Sequence, residues 1–210
     1  MPDLAALLSY LDFAAVAVFG ASGALAAARR KHDIVTFGFF ACVTGVGGGT
    51  LRDLLIGAPV FWVGRPEYLG VCLAAAAAVW VFGPGKGRET ALNWLDALGM
   101  AAYAVVGALK ALTLGAPPFS AVIMGVMTAT FGGIIRDVLA GEPSVLLRRE
   151  LYISAALAGA AVFTALRVTG LDVWLSGLAG FLAAFALRAG AMVFKWELPA
   201  FPGRTPTQDP

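Results

Sequence analysis

The chain alternates between long apolar runs and short polar or Gly/Pro-rich joints. The runs cover about 9–28, 34–57, 67–82, 92–112, 119–140, 150–166 and 173–194. About 20 apolar residues suffice for a helix to cross a bilayer, so the pattern predicts seven transmembrane helices. Arg29-Arg30-Lys31 closes the first run, Pro59 the second, and Gly83-Pro84-Gly85-Lys86-Gly87-Arg88 marks a loop after the third. Gly115-Ala116-Pro117-Pro118 turns the chain between the fourth and fifth runs, and Pro143 ends the fifth. Glycine and proline punctuate helices in this way. The Pro-rich stretch from about 197 to 210 reads as a disordered tail.

Composition narrows the class. The 210 residues are 60% hydrophobic and 13% charged, about half the ~25% charge of soluble domains. With a mean hydropathy of +0.83, an all-α membrane protein is expected, a single membrane domain over 1–210. A net charge of +2 is too small and too dispersed for a nucleic-acid partner. Met1-Pro2-Asp3 lacks the basic start of a signal peptide, so the first run is expected to be retained as a helix.

Two stretches break the apolar pattern at unusual depth. Val46-Gly47-Gly48-Gly49-Thr50-Leu51-Arg52-Asp53 lies in the second run, and Thr130-Phe131-Gly132-Gly133-Ile134-Ile135-Arg136-Asp137 lies 84 residues further on in the fifth. Arg and Asp are costly in a bilayer and usually face a protein interior or a water-filled path. The glycines permit close helix packing, or a kink that turns backbone carbonyls toward a pore. Gly47, Gly48, Gly49, Gly132 and Gly133 are therefore candidate pore and kink residues. Three consecutive glycines exceed what one packing contact requires, which favours the kink.

The same offset of 84 aligns Leu11-Asp12 with Leu95-Asp96 and Gly23-Ala24-Leu25 with Gly107-Ala108-Leu109. It also aligns Gly57 and Pro59 with Gly141 and Pro143, and Tyr68 with Tyr152. The chain is thus read as repeat one (about 9–82), repeat two (about 92–166) and a seventh helix. Three helices per repeat is an odd number, so the second repeat enters the membrane from the opposite side. Such inverted pairs place a permeation or binding site near the midplane, where their helices meet.

Basic residues set the orientation. Arg29, Arg30, Lys31, Lys86, Arg88, Arg148, Arg149, Lys195 and Arg204 fall after the odd-numbered helices, against Arg65, Lys110 and Arg167 on the other side. The positive-inside rule puts the N-terminus outside and the C-terminus in the cytoplasm. Arg52 then lies in the outer half and Arg136 in the inner half, ~12 Å apart in depth if the helices are regular. The depth-matched ion pairs are expected to be Asp12 with Arg52 and Asp96 with Arg136. Asp53 and Asp137 complete the set, as pore-lining groups or as buried ion pairs. Lys110 has Ala26 as its repeat counterpart and so breaks the symmetry, either by snorkelling or by facing the pore.

Little else carries chemistry. His32, the only histidine, sits in a charged joint, and Cys42 and Cys72 lie in apolar runs, so no metal cluster, cofactor or disulfide is expected. The Gly-rich segments lack a P-loop Lys-Ser/Thr, and no Gly-x-Ser-x-Gly elbow occurs. An enzyme is not expected.

The doubled Gly-Gly-x-x-Arg-Asp motif in a three-plus-three-plus-one chain resembles the trimeric intracellular cation (TRIC) channel family, in a short prokaryotic form, over about residues 11–194. The resemblance implies a homotrimer in a prokaryotic inner membrane. It implies one pore per protomer for monovalent cations, chiefly potassium, lined by kinked helices 2 and 5. It also implies a functionally sensitive lysine in helix 4, to which only Lys110 corresponds. Membrane lipids are the other expected partners; the phosphoinositide site of animal relatives is not carried over. The rival reading is a secondary transporter for a small solute such as glycine, because inverted repeats serve carriers equally well.

Overall fold

A computed structural model describes residues 4–83, 87–144 and 151–199. The joint around Lys86, the basic pair Arg148 and Arg149, and the tail beyond residue 199 lie outside the described residues. Seven helices follow in order: α1 (Leu4–Arg29), α2 (Ile34–Ile56), α3 (Glu67–Phe82), α4 (Arg88–Thr113), α5 (Pro118–Leu139), α6 (Ile153–Val168) and α7 (Val173–Phe194). α1 and α4 start about a turn before their apolar runs, because a hydrogen-bonded helix extends past the hydrophobic stretch. Among the described residues, five helices are long and apolar enough to cross a membrane. α3 and α6, the third helix of each repeat, have 16 residues each, or ~24 Å at 1.5 Å per residue. They fall short of a ~30 Å hydrocarbon core.

Local chemistry fixes the ends of the two central helices. Asp33 caps α2, accepting a hydrogen bond from the Thr36 backbone N–H at 2.9 Å and one from its hydroxyl at 3.1 Å. Those two bonds hold the exposed Asp33 carboxyl below the usual carboxylate range. Gly57 follows α2 with φ of 72°, and Gly141 follows α5 with φ of 63°. In this left-handed conformation, favoured by glycine, the chain turns back and satisfies the last carbonyls. The Ala58 N–H donates to Asp53 O at 2.8 Å, and the Glu142 N–H donates to Asp137 O at 2.9 Å. The paired glycines of the repeat thus end both helices by the same device.

The bundle is packed with small residues inside and large apolar ones outside. Alanine dominates the buried hydrophobic positions, whereas Leu54, Val63, Val81, Phe82, Phe119, Leu178 and Leu182 are each at least half exposed. In lipid, close packing of small residues replaces the hydrophobic drive that buries large ones in water. Cys42 and Cys72 are free thiols.

The repeats meet across a pseudo-two-fold axis. Phe19 of α1 and Tyr103 of α4, 84 residues apart, stack with ring centroids 5.3 Å apart. Beside them α2 crosses α5. A Cβ on Gly48 would stand 2.2 Å from Thr128 O, and one on Gly132 would stand 2.5 Å from Thr44 O. Thr44 and Thr128 are themselves repeat equivalents, and their hydroxyls fill the space beside Gly23 and Gly107 (2.6 and 2.5 Å from a built Cβ).

Of the two readings of the glycines, this contact is the close helix packing. α2 and α5 run as unbroken α-helices through both clusters. The neighbouring glycines serve a different purpose from Gly48 and Gly132. Gly49 makes room for the Phe61 ring, and Gly133 for the Tyr152 hydroxyl and Asp96. Gly47 meets only the tip of Ile135.

Gly48→Ala and Gly132→Ala should therefore each force α2 and α5 apart, at a cost of ~1–3 kcal/mol typical of overpacking. Gly70→Ala, with no neighbour in reach, should cost nothing. Thermal unfolding in detergent, followed by size exclusion, separates the two outcomes. Equal melting temperatures for all three variants would contradict the role of the crossing.

Candidate functional site

The crossing sets two charged clusters beside it, one at the C-terminal end of each central helix. Near the end of α2, Arg52 and Asp53 are almost fully buried, at 1% and 0% exposure. Arg52 Nε donates to Asp53 Oδ1 at 2.8 Å. Lys110 reaches in from α4, placing Nζ 2.7 Å from the same oxygen. The other carboxylate oxygen accepts the Phe61 backbone N–H at 3.0 Å. Two cations and a backbone donor thus hold one buried carboxylate, as a charge in a bilayer requires.

The segment between α2 and α3 folds back over this cluster. Phe61 lies beneath both cations, with Arg52 at 5.7 Å and Lys110 at 5.9 Å from its ring centroid. Trp62 Nε1 donates to Thr50 Oγ1 at 2.8 Å, pinning the returning chain to α2. The Tyr68 hydroxyl at the start of α3 donates to Asp12 Oδ2 at 2.9 Å. Exposed Arg65 covers the Phe13 and Tyr68 rings at 5.3 and 5.4 Å.

The α5 cluster uses the same residue types in a different arrangement. Arg136, 1% exposed, donates from Nη1 to Asp96 Oδ1 at 2.6 Å and to Ser22 Oγ at 3.1 Å. Its Nε donates to Asp137 Oδ1 at 2.9 Å. Tyr152 lies against Gly133 beside Asp96. Arg188 of α7, 3% exposed, stands 5.2 Å over the Tyr152 ring.

The structure thus brings Asp96 and Arg136 together. It does not bring Asp12 to Arg52: the two form no ion pair, and Arg52 takes the adjacent Asp53 instead. The depth argument for that pair failed because an intrahelical neighbour and Tyr68 competed successfully for the two charges. Lys110 contacts Asp53, and the equivalent place beside α5 holds Ala26.

Several participants were not singled out by sequence reasoning, Ser22 and Trp62 among them. Tyr68 and Tyr152 stood in the repeat register, and their shared polarity was the available signal. Arg188 is a lone cation within an apolar run, which by itself marks a buried functional position in a membrane protein. Phe61 gave no signal, because its role depends on how the α2–α3 segment folds back. Among the described residues, no group of three or more His, Cys, Asp or Glu side chains converges as metal ligands.

Comparison with known proteins fits this geometry. A family model described as "Glycine transporter" matches residues 9–84 and again residues 93–168. The "UPF0126 inner membrane protein YadS" of Escherichia coli (strain K12) is 37% identical over 199 residues, spanning 93% of this chain and 96% of that protein. A solved structure described as the TRIC trimeric intracellular cation channel orthologue from Rhodobacter sphaeroides is 49% identical. It superposes with a TM-score of 0.87 over 90% of this chain and 99% of its own. The chain belongs to the TRIC channel family. A second family structure, described by its conductance through TRIC cation channels, is 30% identical with a TM-score of 0.81 and covers 94% of this chain and 98% of its own. The family model matches twice because each TRIC repeat carries one copy of the α-helical triplet.

The unequal surroundings of the two arginines give a direct expectation. Arg136→Gln strips the buried Asp96 of its cation, and losing one partner of a buried pair costs ~3–5 kcal/mol in soluble proteins. Arg52→Gln leaves Asp53 with Lys110 and the Phe61 N–H, and should cost clearly less. Melting temperatures of the two variants, measured in the same detergent, test the ranking; a larger loss for Arg52→Gln would reverse it.

Proposed function

We propose that this chain forms a homotrimeric, potassium-permeable channel in a prokaryotic inner membrane, with one path for monovalent cations in each protomer. The path runs beside the α2–α5 crossing, between the two charged clusters. The N-terminus lies outside and the C-terminus in the cytoplasm, following the bias of basic residues. The observation that carries this reading is the placement of buried Arg-Asp pairs at the ends of the two helices that cross at the pseudo-two-fold axis. A membrane anchor needs neither the charges nor their duplication. Support also comes from the 49%-identical relative described as a trimeric cation channel.

In this reading Lys110 tunes conduction. Its side chain is 30% exposed while its partner Asp53 is fully buried, so it is the less buried cation of the α2 cluster. A positive charge beside a cation path lowers local cation concentration, and the effect reaches over about a Debye length, ~8 Å at physiological salt. Lys110→Gln should change unitary conductance severalfold in planar bilayers while the protein stays assembled. Unchanged currents from an assembled Lys110→Gln protein would remove Lys110 from the path.

The second reading is a carrier for a small solute such as glycine, favoured by the description attached to the matching family model. Purified protein in liposomes distinguishes the two. Unitary currents support the channel; saturable glycine counterflow without unitary currents supports the carrier.

A further inference from the structure

Each repeat supplies its charged cluster with the same three groups. The first gives Asp12, Arg52 and Asp53, and the second gives Asp96, Arg136 and Asp137, in one register 84 residues apart. Two carboxylates and one guanidinium leave one negative charge. A net charge held among apolar helices is costly unless a counter-charge sits beside it. The repeat by itself therefore leaves each cluster one cation short.

In the α2 cluster the missing cation is Lys110, whose Nζ lies 2.7 Å from Asp53 Oδ1. Asp12 belongs to the same cluster, since Arg52, Lys110 and Asp53 all act on it through space. Arg65 lies over the nearby Phe13 and Tyr68 rings, but it is exposed, and water and salt screen it. The fourth charge breaks the repeat, because the counterpart of Lys110 is Ala26.

The α5 cluster meets a cation from elsewhere. Arg188 of α7 is 3% exposed and stands 5.2 Å over the Tyr152 ring. The Tyr152 hydroxyl is a side-chain hydrogen-bond partner of Asp96, and Asp96, Arg136 and Arg188 all act on this tyrosine. One aromatic side chain thus joins Arg188 to the cluster. The docking of α7 fixes it there. Ser176, Gly180, Ala184 and Arg188 are buried and recur every four residues, along one face of the helix. A Cβ on Gly180 would stand 2.8 Å from Gly159 O, and one on Gly159 would stand 2.6 Å from Ala184 Cβ. Small residues bring α7 hard against α6, and the next position on that face is the arginine. Close packing needs no arginine there, and burying one is costly unless it meets negative charge.

We propose that Arg188 is the counter-charge of the α5 cluster, taking the part that Lys110 takes in the α2 cluster. α7 then completes a site that the second repeat leaves one cation short. Each cluster holds two carboxylates and two cations, and the last cation of each comes from outside the repeat symmetry. Arg188 is also a determinant of conduction. Without it a net negative charge concentrates cations at the α5 end, as loss of Lys110 does at the α2 end. This consequence for conduction rests on the channel reading, whereas the charge assignment does not.

Two measurements on the full chain test the two parts separately. The first is thermal unfolding in detergent. Arg188→Gln should lower the melting temperature, and Arg188→Lys, which keeps the charge, should recover much of the loss. Adding Asp137→Asn to Arg188→Gln restores neutrality and should also recover part of it, since the asparagine oxygen still accepts from Arg136. Asp96→Asn supplies the same neutralisation if Asp137→Asn does not assemble. Adding Asp12→Asn to Arg188→Gln should recover nothing, because it neutralises the other cluster; with Lys110→Gln the preferences reverse. Recovery by either route, confined to the cluster that lost its cation, is the expected result. No recovery by either route would overturn the proposal, since Arg188 would then serve only as a shape against Tyr152. Equal recovery from Asp137→Asn and Asp12→Asn would overturn it as well, because the compensation would not be local.

The second is planar-bilayer recording with the protein inserted in one orientation. Arg188→Gln and Lys110→Gln should each make the currents rectify severalfold, in opposite senses, because they leave negative charge at opposite ends. Rectification in the same sense, or none from Arg188→Gln, would remove Arg188 from the path. Absence of unitary currents from the unaltered protein would instead overturn the channel reading, and the melting temperatures would still decide the charge assignment.

Discussion

The structure depends on how closely two helix backbones approach at Gly48 and Gly132. Any side chain at either position would meet a threonine carbonyl of the opposite helix at 2.5 Å or less. In lipid no hydrophobic drive pulls helices together, so tight van der Waals contact between small residues has to do so. The glycine pair supplies that contact, and the threonines at positions 44 and 128 extend it sideways into α1 and α4 through Gly23 and Gly107. Four of the six repeat helices are thereby fixed around one axis by a single repeated set of residues.

The crossing also decides where the charges lie. Arg52 and Arg136 follow their glycines by one helical turn, which carries them off the axis toward opposite ends of the bundle. Each then finds carboxylates rather than lipid. The second repeat uses an aspartate from α4 and a serine from α1, whereas the first uses the adjacent aspartate, itself shared with a lysine from α4. α7 stands outside the repeat yet contributes a buried arginine to the second cluster through Tyr152. The two ends are therefore alike in backbone and unlike in charge arrangement.

Much of this was legible in the sequence. The constant offset from Asp12 and Asp96 through Tyr68 and Tyr152 gave the repeat, and apolar run lengths gave the helices to within a few residues. The Gly-Gly-x-x-Arg-Asp motif located the centre. The glycines left two readings open, packing and a kink, because propensity describes an isolated helix, while packing against a second backbone decides what a glycine does in a bundle. The Asp12–Arg52 pairing was missed for a related reason: depth in the membrane says which charges share a level, but not which competitor lies nearer. Phe61 was beyond reach, since its role depends on a segment folding back; Arg188, a lone cation in an apolar run, carried a signal, and only its partner Tyr152 depended on how α7 docks against the second repeat.

Locating the permeant ion inside the protein tests the central claim most directly. Anomalous diffraction from crystals grown in rubidium chloride would show where a potassium analogue resides. The account predicts rubidium within each protomer, beside the α2–α5 crossing and between the two charged clusters. Rubidium confined to an axis between protomers, with none beside the crossing, would contradict it.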